Sequence, residues 1–289
     1  MTIETFFDPA TWTLTYLVYD EATRDAVVID PVLDFDPLTV DVSTASAARV
    51  ADRAEALGLK VHLVLDTHAH ADHLSAFQYL KDRLGASIGI GREITGVQEV
   101  FASIFHFGDD FPTTGEQWDV LVEDGVPVAA GSLTIHPMHS PGHTPACYVF
   151  RIGDALFTGD VLFMPDFGTG RCDFPGGSAS DLYDSIQRLY ALDPALRVFV
   201  GHDYQPGGRE LKWETTIGES RTENVHLRAD TTREEFVAFR TSRDATLAPP
   251  KLIFQSLQVN AAAGVLPAPE ANGRRYLRSP MGLFSGSQA

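Results

Sequence analysis

Four side chains able to bind a metal ion fall within six positions of the chain: His68, His70, Asp72 and His73, in VLDTHAHADHLSA at residues 64–76. Imidazole nitrogens and carboxylate oxygens each offer a lone pair to a cation, and ordinary core packing has no use for so many of them together. In extended chain, residues two apart face the same side, so His68 and His70 can aim at one point while Asp72 and His73 turn back as a helix begins. Three more candidates share a common setting: His143 follows a Pro-Gly turn in HSPGHTPACYVF, Asp160 ends a strand in LFTGD, and His202 ends another in VFVGHDY. Each is a polar residue placed where an apolar strand releases into a loop, the usual position of functional groups in layered α/β folds. His62, His106, His136, His139 and His226 lack this pattern and read as structural.

Such scattered ligands need a scaffold that gathers strand ends. Alternating and β-branched runs at 13–20 and 25–30, separated by a short polar turn, predict an antiparallel pair. Residues 43–58 read as a helix capped by Ser43 or Thr44, with Ala47, Val50, Ala54 and Leu57 on one face and Gly58 at its end. A buried strand at 60–66 follows, then a helix over 74–85 stopped by Gly85. Further strands are expected at 86–90, 131–138, 146–153, 155–160 and 196–204. A second amphipathic helix is expected over 178–192, burying Leu182, Ile186 and Leu189. Beyond DYQPGGRE (203–210) the chain turns helical, at 214–227 and 232–244, and ends in an expected frayed tail at 278–289. Strands and helices alternating in two similar rounds suggest a layered α/β protein.

Composition narrows the partners. The chain has 289 residues, 44% of them hydrophobic, enough for a substantial core. Its 39 acidic residues against 22 basic ones give a net charge of −17, which argues against nucleic acid or an anionic membrane as partner. An anionic ligand would have to be held by a few local cations. No apolar stretch approaches the roughly 20 residues of a membrane span, and MTIETFFDPATW lacks the pattern of a signal peptide, so a cytoplasmic location is expected. Cys147 and Cys172 fit neither a disulfide framework nor a redox motif. Cys147 reads as buried, and Cys172, in a glycine-rich loop, as the more exposed.

In order, THAHADH, SPGHT, FTGD and GHDY resemble the metallo-β-lactamase superfamily over about residues 10–205. The resemblance implies an α/β fold, the αββα four-layer sandwich, with a metal site at one edge of its two sheets. Residues 1–205 would form this catalytic domain and 206–289 a C-terminal lobe packed on it. Most members bind two zinc ions, and the matching ligand positions are His68, His70, Asp72, His73, His143, Asp160 and His202. Local sequence is closer to one branch: DFGTGRCDFPGGSASDLYDSI is similar to the G-R-x-D-F segment of persulfide dioxygenases, and GHDY stands where glyoxalase II usually has GHEY. PGGRELKWETTIGESRTENVH and PKLIFQSLQVNAAAG also resemble the C-terminal lobe of the bacterial persulfide dioxygenases.

That branch implies one Fe(II) per chain held by His68, His143 and Asp160, with His70, Asp72, His73 and His202 around it as supporting, water-holding groups. Glutathione persulfide and O2 would be the substrates, sulfite and glutathione the products. The alternatives are a zinc thioester hydrolase of glyoxalase II type, with Asp160 bridging two metals, and a non-catalytic persulfide sensor. Glutathione carries two carboxylates, so local cations are expected: Arg171 first, able to fork onto a carboxylate, then Lys212, with Tyr204 offering a hydroxyl or a stacking face. Cys172 departs from the small residues of relatives and receives no role. A homodimer or other homo-oligomer is expected.

Overall fold

The computed structural model describes residues 1–108 and 110–283. Residues 284–289 of the expected frayed tail lie outside the described residues. Strand Thr13–Tyr19 shows why the chain layers: all seven of its residues are buried, with Tyr16 and Val18 on one face and Leu17 on the other. A strand covered on both faces must lie between two packed layers. Around it forms a six-stranded sheet in the order Thr2–Asp8, Thr13–Tyr19, Asp25–Ile29, Lys60–Leu65, Ser87–Gly91, Val120–Val122. A second six-stranded sheet runs Val128–Ala130, Leu133–His139, Tyr148–Ile152, Ala155–Phe157, Arg197–Phe199, Glu214–Thr216.

The inner faces meet in one aromatic core, where the Tyr16 ring lies 5.2 Å from Phe157 and 5.5 Å from Phe199. Helices Ala45–Ala56, Phe77–Leu84 and Ile94–Phe105 cover the outer face of the first sheet through Val50, Leu80 and Val97 among others. Helix Ala179–Tyr190 covers the second sheet with Leu182, Ile186 and Leu189, each fully buried, and Ser178 caps its start by accepting from the Asp181 N–H. The result is the layering helix, sheet, sheet, helix. Among the described residues no helix is long and apolar enough to cross a membrane.

Several expected bounds shift, each for a local reason. The helix expected at 74–85 begins at Phe77, because Leu74 and Ser75 pair with Leu33 and Val32 as a short antiparallel bridge. Asp72 and His73 therefore sit in a bend held between two strands, not at a helix start. Thr44 occupies the N-cap of Ala45–Ala56 without a side-chain bond; Asp34 reaches in instead, accepting from the Ser46 N–H and hydroxyl. Residues 214–216 are a strand, not a helix, and join the second sheet beside Arg197–Phe199 beyond residue 205. Helices Ile217–Glu223, Arg233–Asp244 and Ile253–Asn260 follow. Cys172, expected to be the more exposed thiol, is buried, with its N–H donated to Asp244.

Candidate metal centre

Three strands point their C-terminal ends at one edge of the sandwich. Lys60–Leu65 delivers residues 66–73, Ala155–Phe157 delivers Asp160, and the parallel Arg197–Phe199 delivers His202. His143 comes from the loop between Leu133–His139 and Tyr148–Ile152. The two sheets are stitched here: Tyr148 N–H donates to the Thr67 carbonyl at 2.8 Å, and Thr13 bridges to His202. The approach leaves no room for a side chain at Gly159, whose φ is +47° and where a Cβ would stand 2.3 Å from Thr67 Oγ1. Gly170 is equally constrained, since a Cβ there would meet the Asp160 carbonyl oxygen at 1.9 Å.

All seven expected ligand residues converge. His68, His143 and Asp160 offer ligand atoms within 4.8 Å of one another, and His70, Asp72 and His73 form a second such group. His202 Nε2 stands 3.3 Å from Asp72 Oδ2 and 3.3 Å from Asp160 Oδ1, between the two sets. Hydrogen bonds fix which nitrogen of each ring faces inward. Thr67 Oγ1 donates to Asp30 Oδ2 at 3.0 Å and so can accept from His68 Nδ1, also at 3.0 Å. His143 Nδ1 donates to the Arg171 carbonyl at 2.7 Å, and His70 Nε2 to Asp30 Oδ1 at 3.1 Å. The inward atoms His68 Nε2, His70 Nδ1, His73 Nε2, His202 Nε2 and Asp160 Oδ1 are buried and make no hydrogen bond among the described residues, His202 Nε2 and Asp160 Oδ1 being in ionic contact with each other. Orphaned buried donors and acceptors are costly and rare, and five of them aimed at one volume fit a metal cation.

Electrostatics agree. Burial above all, then the nearby His70 ring, holds the His68 pKa well below the usual histidine range, and burial, then His73, does the same to His70. Both rings are therefore neutral, as ligation requires. For His202 burial is the largest influence and opposes charge, yet the Asp160 and Asp72 carboxylates together outweigh it and raise the pKa. Burial opposes charge on Asp72, yet His202 and His73 hold its pKa well below the usual carboxylate range, so it is anionic.

Two cavities open onto the centre and share Asp160, Arg171 and Tyr204. One, of about 410 Å³, is walled by Trp12, Phe35, Pro249, Pro250 and Leu252 with Lys251 at its mouth. The other, of about 370 Å³, carries His226, Arg240 and Arg243. Tyr204 stacks on His202 at 5.4 Å and meets Phe167 in a tilted contact at 4.7 Å. Arg171 lines both cavities, but its fork is already closed on Asp173 and its remaining Nη1 donates to the Ala248 carbonyl. Lys212 does not reach either cavity; its contribution is a backbone N–H to Asp203. His226, read as structural, stands in the wall of the second cavity and accepts from the Thr169 N–H at 3.1 Å. Sequence reasoning also passed over Asp30, Thr67 and the cations Arg243 and Lys251. Only the strand-end position of Asp30 in DAVVID gave a signal for any of them.

The profile of the metallo-β-lactamase superfamily matches residues 13–202, the span that holds every one of these ligands. The chain belongs to that superfamily. Superfamily members supply close relatives of two kinds. A probable metallo-hydrolase of Burkholderia pseudomallei is 50% identical, over 97% of this chain and 99% of its own length. The human mitochondrial persulfide dioxygenase ETHE1 is 32% identical, over 90% of this chain and 87% of its own. The crystal structure of ETHE1 from Myxococcus xanthus superposes with a TM-score of 0.73 at 33% identity, covering 92% of this chain and all of that one. That superposition takes in more of the chain than the 13–202 span of the superfamily profile.

Proposed function

We propose that the chain is a glutathione persulfide dioxygenase using one Fe(II). The observation that carries this reading is the grouping of His68, His143 and Asp160, two imidazoles and one carboxylate with ligand atoms within 4.8 Å. Likeness to the human and myxobacterial proteins supports it. Iron held by such a triad would supply O2 activation. The reaction balances without another cofactor: the terminal sulfur loses four electrons on becoming sulfite, O2 takes up four, and water supplies the third oxygen.

The chain's own groups handle the rest. Arg171 and Thr67 keep His143 and His68 in the tautomer whose free nitrogen faces the centre. Trp12, Phe35 and Leu252 exclude water from one approach. Lys251 and Arg243, without a side-chain ion pair among the described residues, lie where glutathione carboxylates would arrive on an otherwise acidic protein. Arg171 joins them if a substrate carboxylate displaces Asp173.

A specific observation favours a second reading, a zinc thioester hydrolase. His70, Asp72, His73 and His202 are also oriented as ligands, and the Burkholderia relative bears a hydrolase name. Metal analysis of freshly purified protein, with oxygen uptake on glutathione persulfide and hydrolysis of a glutathione thioester measured on the same sample, separates the two. One iron with oxygen uptake supports the dioxygenase; two zinc ions with thioester turnover overturn it.

A further inference from the structure

The last residue of helix Ile253–Asn260 reaches into the ligand loop from almost the far end of the chain. Asn260 is 2% exposed, and its Nδ2 donates to the carbonyls of both His70 and His73 at 2.8 Å each. Its Oδ1 accepts from the Ser75 N–H at 2.8 Å. Both protons and one oxygen of the amide are thereby engaged on a six-residue stretch that contains Asp72. A bend of this kind is neither helix nor ladder, so its shape depends on such side-chain partners. Other bonds dock the same segment without touching the loop: Gln78 Nε2 donates to the Ala263 carbonyl at 2.7 Å, and Gln98 Nε2 to the Ala261 carbonyl at 2.9 Å.

We propose that Asn260 is a positioning residue for the metal centre. It pins the carbonyls on either side of Asp72, so that His70, Asp72 and His73 present their donor atoms as a set. Metal retention thereby depends on the docked C-terminal segment. An amide is required. A carboxylate of the same shape could still accept from Ser75, but would set an oxygen against two carbonyl oxygens.

The inference rests on the metal centre and not on the substrate. Wild-type protein that binds neither Fe(II) nor Co(II) defeats the metal centre itself, whereas normal metal binding by a variant overturns only the role of Asn260. The test compares wild type, Asn260→Asp and Gln78→Ala by chelator competition and by the visible spectrum of the Co(II)-loaded protein. Asn260→Asp should lose about ten- to a hundred-fold in metal affinity, the usual effect of removing a partner behind the ligands, and shift the Co(II) spectrum. Gln78→Ala, which loosens the same segment, should stay within about twofold. Equal losses in both variants, or none in Asn260→Asp, overturn the proposal. Should Asn260→Asp fail to fold, hydrogen exchange of wild-type protein decides. Residues 70–76 and 253–264 should open together without metal and both slow when Co(II) is added. Protection of 253–264 that ignores metal refutes the coupling.

Discussion

Arg171, on the wall shared by both cavities, grips Asp173 through two bonds of 2.5 Å, Nε to Oδ1 and Nη2 to Oδ2. A substrate carboxylate can take this fork only by exchange, which makes the guanidinium a weaker anchor than an unpaired one. With both partners partly exposed, at 21% and 37%, the exchange is nearly balanced. Arg171→Ala should lower kcat/KM for glutathione persulfide by about three- to ten-fold, and Asp173→Ala should move it the opposite way by freeing the fork. A small persulfide without carboxylates should respond to neither. Oxygen-uptake kinetics on both substrates check this; losses of one sign in both variants would make the pair a loop brace.

His70 separates the one-metal from the two-metal reading. Its Nδ1 is free and buried, yet its group, with Asp72 and His73, is distinct from His68, His143 and Asp160. Under the dioxygenase reading His70→Ala, loaded with excess Fe(II), still takes up close to one iron although its affinity falls, while His68→Ala, His143→Ala and Asp160→Ala each empty the site. Plasma-emission analysis reads the content directly, and equal loss in all four variants would point to a dinuclear centre.

Asp30 supports two ligands at once. Its Oδ1 accepts from the Thr67 N–H at 2.7 Å and from His70, and its Oδ2 accepts from the hydroxyl that orients His68. Asp30→Asn should weaken metal affinity about ten- to a hundred-fold without removing any ligand. Chelator competition measures it, and an unchanged affinity would show that the rings are held by packing alone.

His226 predicts an acid limb of stability. Burial is the main influence, followed by the charges of Arg240 and Arg243, and they bring its pKa down to about 4. The unfolded chain takes up this proton near pH 6.5 and the folded one only near 4, so stability is unaffected by His226 above that range and falls as pH drops through it. Protonation also removes the acceptor used by the Thr169 N–H. In His226→Gln the slope of Tm against pH between 6.5 and 4 should flatten; an identical slope would show that other groups set the acid limb.

Legibility from sequence followed density. The seven candidate ligand residues could be named because they crowd into HxHxDH, follow a Pro-Gly turn or close an apolar strand, patterns that survive without knowledge of the fold. Asn260 and Thr13 could not, because an isolated amide or hydroxyl becomes specific only when the fold brings it beside residues 60 to 190 positions away. Helix Ile94–Phe105 carried a readable stripe in Ile94, Val97, Phe101 and Phe105 and was passed over, as was the edge strand Thr2–Asp8. The late start at Phe77 was invisible, since Leu74 and Ser75 fit a helix as well as a bridge until Leu33 and Val32 are placed opposite them.

Both thiols are packed away. Burial outweighs the Thr144 hydrogen bonds and pushes the Cys147 pKa up to about 12; burial, with Asp244 beside it, raises that of Cys172 too. At neutral pH Cys147 is therefore a thiol and not the thiolate, the form that attacks sulfur. Persulfides pass their outer sulfur to any thiolate they can reach, so a protein that turned them over with exposed cysteines would slowly sulfurate itself. With both thiols buried, a folded chain acting on such a substrate would keep its own cysteines out of reach, and unfolding would expose them.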